Sequence, residues 1–295
     1  MEIRPFCRDD ALPLAELAAF CARAETDFVL NPYWQNEAEL FAEFERFGIA
    51  PEEHLLVADG GGGDVLGLVG FLRRPGAREA GMCVPIVKRG ERGKGIGGEL
   101  LRAARQHARE ALGIQLATAG IGTRNRAGYS LLTSLGFRPV RQHFLMRCDA
   151  SPQPVEDDTD GLSLEPAEAS DVDAILAIYA QCGFEPRDAS GMRATFSDGR
   201  HTHTVARHGG HIVAFTELET HWPQRVWVSY VGVSPETRDR GIGTTLVSWS
   251  VARQFEAGAN SALLMLSPAN RTALRAYEKS GFRRHRVVDV LEKLF

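Results

Sequence analysis

A chain of 295 residues with 44% hydrophobic and 24% charged side chains is long enough for two domains, each with its own core. A formal net charge of −4 leaves no basic footprint, which argues against nucleic acid or an anionic membrane as partner. Five cysteines (Cys7, Cys21, Cys83, Cys148, Cys182) are odd in number and hold no C-x-x-C pair, so reduced thiols are expected, not a disulfide framework or a zinc site.

The first residues, Met1 to Pro5, lack the apolar stretch of a signal peptide, and no run reaches the roughly 18 apolar residues of a spanning helix. A cytoplasmic protein is expected. Ile3-Arg4-Pro5 leads into a helix-like stretch around Asp10, Leu14 and Leu17. Residues 27–48 read as extra helical material carrying Phe28, Tyr33, Trp34, Phe41, Phe44 and Phe47, either as core packing or as the aromatic wall of a cleft. Strand-like runs follow at His54 to Ala58, Val65 to Leu72 and Met82 to Val87, and Cys83 reads as a small core residue of the last. Beyond a glycine-rich loop, Ile96, Leu100, Ala104, Ala108 and Ala111 recur at three- or four-residue steps and share one helical face. A short apolar run, an Asn-containing loop, a second helix ending at Gly136-Phe137 and a closing strand complete the half.

Residues 150–161 combine prolines with four acids and bury almost nothing, so they read as a linker. The same order then restarts. Leu164-Glu165-Pro166 precedes a helix on Ile175 and Ile178, with Ser170 and Asp171 as its starters. Strands follow at His203 to Ala206, His211 to Leu218 and Val226 to Val233. The expected architecture is an α/β unit present twice, over 1–149 and 162–295.

Two phrases carry the repeat. Arg92-Gly93-Lys94-Gly95-Ile96-Gly97 returns as Arg238-Asp239-Arg240-Gly241-Ile242-Gly243, and Asn125 to Gly136-Phe137 returns as Asn270 to Gly281-Phe282 at the same spacing. A strand entering Gly-x-Gly at a helix start makes an anion site, because the loop N–H groups turn inward beside the positive end of the helix. The bland alternative is a tight strand-to-helix turn with solvated arginines. Neither copy holds the Gly-Lys-Ser/Thr of a nucleotide P-loop. Asp239 breaks G-x-G-x-x-G in the second copy, and Leu116-Ala117-Thr118 stands where a ribose-binding acid belongs in the first, so a dinucleotide site is disfavoured.

Arg-x-x-Gly-x-Gly after an apolar strand, with a downstream Asn, Tyr and Gly-Phe, resembles the Gcn5-related N-acetyltransferases (GNAT). The resemblance covers most of both halves, so the chain is similar to a tandem member. It implies two GNAT-like domains, each a mixed, mostly antiparallel sheet flanked by helices. It further implies that Arg238, Asp239, Arg240, Gly241, Ile242, Gly243 and Thr244 hold the pyrophosphate of acetyl-CoA. The backbone of Val231, Gly232 and Val233 would pair with the pantetheine arm, Asn270 would flank it, and Tyr277 would stand near the thioester sulfur. Arg92, Gly93, Lys94, Gly95, Ile96 and Gly97 form the corresponding loop of the first half.

Tyr277 can give a proton to a departing thiolate. Leu132 holds the matching place in the first half, Tyr129 is off by three, and Pro85 stands opposite Val231 without an N–H. The C-terminal half is therefore expected to be catalytic. Glu217 and Glu219, two apart on a strand and facing one way, are candidate general bases, and His221 is a second option. The numerous histidines, His201, His203, His208 and His211, give no metal geometry, so no metal is expected. The leading expectation is an acetyl-CoA-dependent N-acetyltransferase of a small-molecule amine, as a monomer or homodimer. The alternatives are a non-catalytic acyl-CoA sensor and a protein N-acetyltransferase.

Overall fold

Val65–Leu72 (VLGLVGFL) is apolar throughout and every one of its residues is buried, the pattern of a strand covered by helices on both faces. The computed structural model describes residues 1–23, 27–153, 161–222 and 224–295, so most of the expected linker at 150–161 lies outside the described residues. The chain divides into two units, Met1–His143 with Arg286–Phe295, and Phe144–His285.

The first unit runs β1 (Glu2–Pro5), α1 (Ala11–Arg23), α2 (Glu37–Phe47), α3 (Pro51–His54), β2 (Leu55–Asp59), β3 (Val65–Leu72), β4 (Glu79–Val87), α4 (Ile96–Glu110), β5 (Leu116–Gly122) and α5 (Arg126–Ser134). The chain enters the second unit within β6 (Arg138–Cys148). There follow β7 (Leu162–Pro166), α6 (Val172–Gln181), α7 (Ala189–Ser197), β8 (His201–His208), β9 (His211–Trp222), β10 (Arg225–Val233), α8 (Ile242–Glu256), β11 (Ser261–Leu266) and α9 (Arg271–Lys279). It returns to the first unit within β12 (Arg283–Leu294).

Each unit is an α/β layer structure on a mixed, mostly antiparallel sheet. In the first the order is β1-β2-β3-β4-β5-β12, and only β4 and β5 are parallel. In the second it is β7-β8-β9-β10-β11-β6, and only β10 and β11 are parallel. The closing strands are exchanged between the two stretches of sequence. Phe144 to Cys148 pairs with β11, and Val288 to Leu294 pairs with β5.

The helix starts repeat as the sequence does. Asp10 accepts from the Cys7 N–H at 2.8 Å and from Arg4, and Asp171 accepts from the Glu168 N–H at 3.0 Å and from Arg207. The α4 face at Ile96, Leu100, Ala104 and Ala108 is buried as its spacing predicts; Ala111, just past the helix end, is exposed. Cys83 and Cys148 are buried core residues.

Residues 27–48 depart from their helical reading. Only Glu37–Phe47 is helical, capped by Asn36 through the Glu39 N–H. Residues 28–31 are not helical and engage strand backbone instead. The aromatics of this stretch pack inward: Phe28, Trp34 and Phe44 are fully buried, and Trp34 and Phe44 join the core of the first unit.

One feature of each sheet positions the candidate site. The parallel pair β10 and β11 is joined only from Arg225↔Ser261 to Trp227↔Leu263, and beyond that point the strands diverge. A bulge between Val228 and Tyr230 lies where they part. In the other unit β4 and β5 are joined only from Glu79↔Leu116 to Gly81↔Thr118, and β4 is bulged at the matching place.

Candidate active site

The divergence of β10 from β11 opens a cleft of about 860 Å³ in the second unit. One wall is β10, from Val228 to Val233; the opposite wall is Met265 and Leu266 of β11 with the inner face of α9; the loop and first turn of α8 close one end. Val231 and Val233 line it, whereas Gly232 faces the other way. A methyl group on Gly232 would lie 2.4 Å from the Phe215 ring, so the strand approaches that core residue closely enough to require glycine.

Arg238, Asp239, Gly241, Ile242, Gly243 and Thr244 all line the cleft. Gly241 caps α8 in the left-handed conformation (φ +77°) with no side-chain cap, so the N–H groups of the first helical turn face the cleft end without an intrahelical acceptor. Asp239 also has positive φ, +62°, matching Gly93 at +79°. The glycine-to-aspartate difference therefore leaves the loop backbone the same shape, since aspartate tolerates this region better than most residues. Arg238 anchors the loop by donating from Nε to the Val233 carbonyl at 3.2 Å. Arg240 is exposed beside the loop but does not line the cleft.

Asn270 and Tyr277 line the α9 side. The Asn270 Oδ1 accepts the Ala273 N–H at 3.1 Å and so starts α9. The Tyr277 ring packs edge-on to Phe282, and burial pushes its phenol pKa up, so it stays protonated at neutral pH. Sequence reasoning missed Cys182, Phe184, Ser229, Tyr230, Arg275 and Lys279 in the lining. Arg275 and Lys279 had a signal: they stand four apart on α9 and therefore share a face.

The candidate bases lie behind this wall. Glu217 is 1% exposed, does not line the cleft, and is held by Arg187 Nη1 at 2.7 Å and by His201 Nδ1 at 3.3 Å. Burial alone would raise its pKa; the contacts with His201 and Arg187 outweigh that and hold it below the usual carboxylate range. Glu219 is reached from the cleft through Ser229, whose Oγ donates to Oε1 at 2.5 Å. His221 Nε2 lies 3.6 Å from the other oxygen of Glu219 and 3.4 Å from His201 Nε2. Among the described residues, Asp198, His201 and His221 are the one set with ligand-type atoms within 4.8 Å of one another.

Family profiles match both units: the acetyltransferase (GNAT) family over residues 172–282, and an acetyltransferase (GNAT) domain over residues 1–138. The chain belongs to the GNAT acetyltransferase family. It is similar to mycothiol acetyltransferases at low identity. That of Propionibacterium freudenreichii is 26% identical over 52% of this chain and 53% of its own length. That of Thermomonospora curvata is 26% identical over 70% and 71%. That of Corynebacterium glutamicum is 35% identical over only 25% of each chain. The chain thus spans about half, about seven tenths and a quarter of these relatives. Among solved structures, a GCN5-related N-acetyltransferase from Sphaerobacter thermophilus superposes with a TM-score of 0.81 at 19% identity, covering 99% of this chain and 95% of that one. A tandem GNAT protein from the clavulanic acid biosynthesis pathway, solved without AcCoA, gives 0.71 at 18% identity, over 99% and 98%. Among the described residues no helix is long and apolar enough to cross a membrane.

The N-terminal GNAT domain repeats the loop, with different residues around it. Gly93 and Gly95 are left-handed, Gly95 starts α4, and Arg92 Nε donates to the Val87 carbonyl at 2.9 Å. Its cations are engaged internally: Arg92 pairs with Asp27 at 2.8 Å and Lys94 with Glu91 at 2.9 Å. Gly97 packs against Leu131, and Ile96 is buried. Leu132, in the place of Tyr277, is 1% exposed core, and Tyr129 packs against the same core.

Proposed function

We propose that the protein is an acetyl-CoA-dependent N-acetyltransferase whose C-terminal GNAT domain transfers an acetyl group to the primary amine of a small molecule. The observation that carries the reading is the convergence of three groups on one cleft: the uncapped first turn of α8, the diverged edge of β10, and the hydroxyl of Tyr277. The helix start offers N–H donors and a partial positive charge to a pyrophosphate. The β10 edge, released from β11 after Trp227, offers backbone groups to an extended amide-bearing arm. Arg275 and Lys279 add positive charge to the α9 wall.

In the reaction the amine lone pair attacks the thioester carbonyl, and the tetrahedral intermediate collapses with loss of the C–S bond. Tyr277 gives its proton to the departing sulfur. The amine proton leaves through the Ser229 hydroxyl to Glu219, the carboxylate in direct contact with the cleft wall. Glu217 has a positioning part, since Arg187 and His201 already hold both of its oxygens. The similarity to enzymes named mycothiol acetyltransferase supports a small-molecule acceptor over a protein one.

The test is release of CoA thiol from acetyl-CoA in the presence of a panel of small amines. Turnover in the wild-type chain and its loss in both Tyr277→Phe and Arg238→Ala is the expected result. Turnover that survives both substitutions would falsify the assignment of the C-terminal site.

A further inference from the structure

We infer that the N-terminal GNAT domain holds no acyl-CoA because residues 28–31 of its own chain occupy the slot between β4 and β5. The proposal rests on the reading of the C-terminal cleft as an acyl-CoA site, since it assigns the matching slot an internal occupant.

The occupancy is built from backbone hydrogen bonds to both strands. The Leu30 N–H donates to the Gly120 carbonyl at 2.9 Å, and the Gly122 N–H donates to the Phe28 carbonyl at 3.2 Å, so the segment pairs with β5 around Val29 and Ile121. On the other side the Val84 N–H of β4 donates to the Asn31 carbonyl at 2.9 Å. The strands therefore diverge after Gly81 and Thr118 to admit a piece of the protein itself. Asn125, which matches the asparagine lining the C-terminal cleft, uses its side-chain amide to donate to the Phe28 carbonyl at 3.3 Å.

Three further observations show that the slot is fitted to this segment. Phe28 and Val29 are 0% and 2% exposed, so the insertion is buried. Gly120 and Gly122 are alternate residues on one face of β5, and both face the segment. A methyl group at Gly120 would lie 2.8 Å from Leu30, and one at Gly122 3.0 Å from the Phe28 ring. Arg92, the first cation of the loop, turns to Asp27 immediately before the segment. An extended arm entering from a cofactor would have to displace the backbone pairing, the Phe28 side chain and the Arg92–Asp27 pair together. The corresponding C-terminal slot is open from Val228 to Val233.

The structure thus assigns one acyl-CoA to each chain. Isothermal titration of the full chain with acetyl-CoA reads the stoichiometry directly, and two charge reversals at exposed loop positions assign it to a domain. The expected result is one site in the wild-type chain, no saturable binding in Arg238→Glu, and an unchanged site and affinity, within twofold, in Lys94→Glu. Two sites in the wild-type chain overturn the inference. So does a residual site in Arg238→Glu that disappears when Lys94→Glu is added. A folded wild-type chain with no binding at all agrees with a closed N-terminal slot and instead sinks the reading of the C-terminal cleft.

Discussion

The Asn125 side chain bridges its own helix and a distant segment: Oδ1 accepts the Gly128 N–H at 2.9 Å, and Nδ2 donates to the Phe28 carbonyl at 3.3 Å. Asn270, its counterpart, makes the same cap at 3.1 Å but turns toward an open cleft. One residue type at one place in the fold thus meets chain in one domain and space in the other. The two asparagines should separate by assay. Each change to alanine removes a helix cap, about 1 kcal/mol of stability by urea denaturation. Only Asn270→Ala should also weaken acetyl-CoA, raising KM several-fold. Equal effects of both substitutions on KM would mean that the two clefts are equivalent.

Gly120 and Gly122 give a stability test of the inserted segment. Gly120→Ala places a methyl group 2.8 Å from Leu30, against a neighbour fixed by backbone pairing on two strands. Overpacking of this kind costs about 1–3 kcal/mol. The expected outcome is a lowered unfolding midpoint with kcat and KM unchanged at the C-terminal site. A neutral Gly120→Ala would show that residues 28–31 leave β5 readily.

Much of this was written locally. The duplicated loops, the strands before them and the helices after them are short-range patterns, and the residues from Arg238 to Thr244 other than Arg240 line one cleft with Asn270 and Tyr277, the grouping that the resemblance to GNAT enzymes implied. What the sequence concealed depends on backbone contacts between distant positions. Phe28-Val29-Leu30-Asn31 has no motif, and its pairing with β5 is made by N–H and carbonyl groups that every residue possesses. Residues 27–48 read as extra helical material rich in aromatics, and only the α2 part bore that out. The trace that did exist lay in the partner strand, where Gly120 and Gly122 alternate on one face and mark a close backbone approach. The exchange of Phe144 to Cys148 and Val288 to Leu294 was equally silent, because either closing strand carries enough apolar residues to finish either sheet.

Tyr277→Phe and Gly241→Ala should divide the kinetics between them. Phenylalanine keeps the ring against Phe282 and removes only the hydroxyl, so kcat should fall by about 10²–10⁴-fold with KM for acetyl-CoA nearly constant. Alanine at Gly241 must adopt φ +77° at the helix start, a strain of about 1–2 kcal/mol that distorts the loop and raises KM roughly tenfold. Steady-state rates over a range of acetyl-CoA concentrations separate the two. A Tyr277→Phe enzyme that loses affinity but keeps kcat would remove the tyrosine from the proton transfer.

His203 makes stability depend on pH in a predictable direction. Its ring stacks on Phe196 at 4.0 Å, Thr195 Oγ1 lies 3.0 Å from Nε2, and burial pulls its pKa down to about 4. In the unfolded chain a histidine titrates near pH 6.5. Between these values the unfolded state binds a proton that the folded state refuses. The stabilisation is therefore complete above about pH 6.5 and is lost as the pH falls toward 4, by about 3 kcal/mol in all. His203→Phe, which keeps the stacking, should flatten the urea midpoint over that range relative to wild type. Parallel pH profiles for the two proteins would contradict a neutral His203.

The Arg187–Glu217 pair should behave as a buried ion pair and not as a source of catalytic base. Arg187 spends its Nη1 on Glu217 at 2.7 Å and lays its guanidinium over the rings of Tyr179 and Tyr230, at 5.5 and 5.1 Å. Removing it leaves a carboxylate that is 1% exposed with the His201 and His203 rings but no guanidinium beside it, so Arg187→Ala should destabilise the chain by about 3–5 kcal/mol. Adding Glu217→Gln to that variant removes the stranded charge and should recover most of the loss. If Glu217 instead took the amine proton, Glu217→Gln alone would abolish turnover at full acetyl-CoA affinity. The geometry predicts a different result: a smaller loss for Glu217→Gln than for Glu219→Gln, whose carboxylate alone reaches the cleft through Ser229. Measuring kcat for the two glutamine variants beside their unfolding midpoints tells a positioning residue from a base.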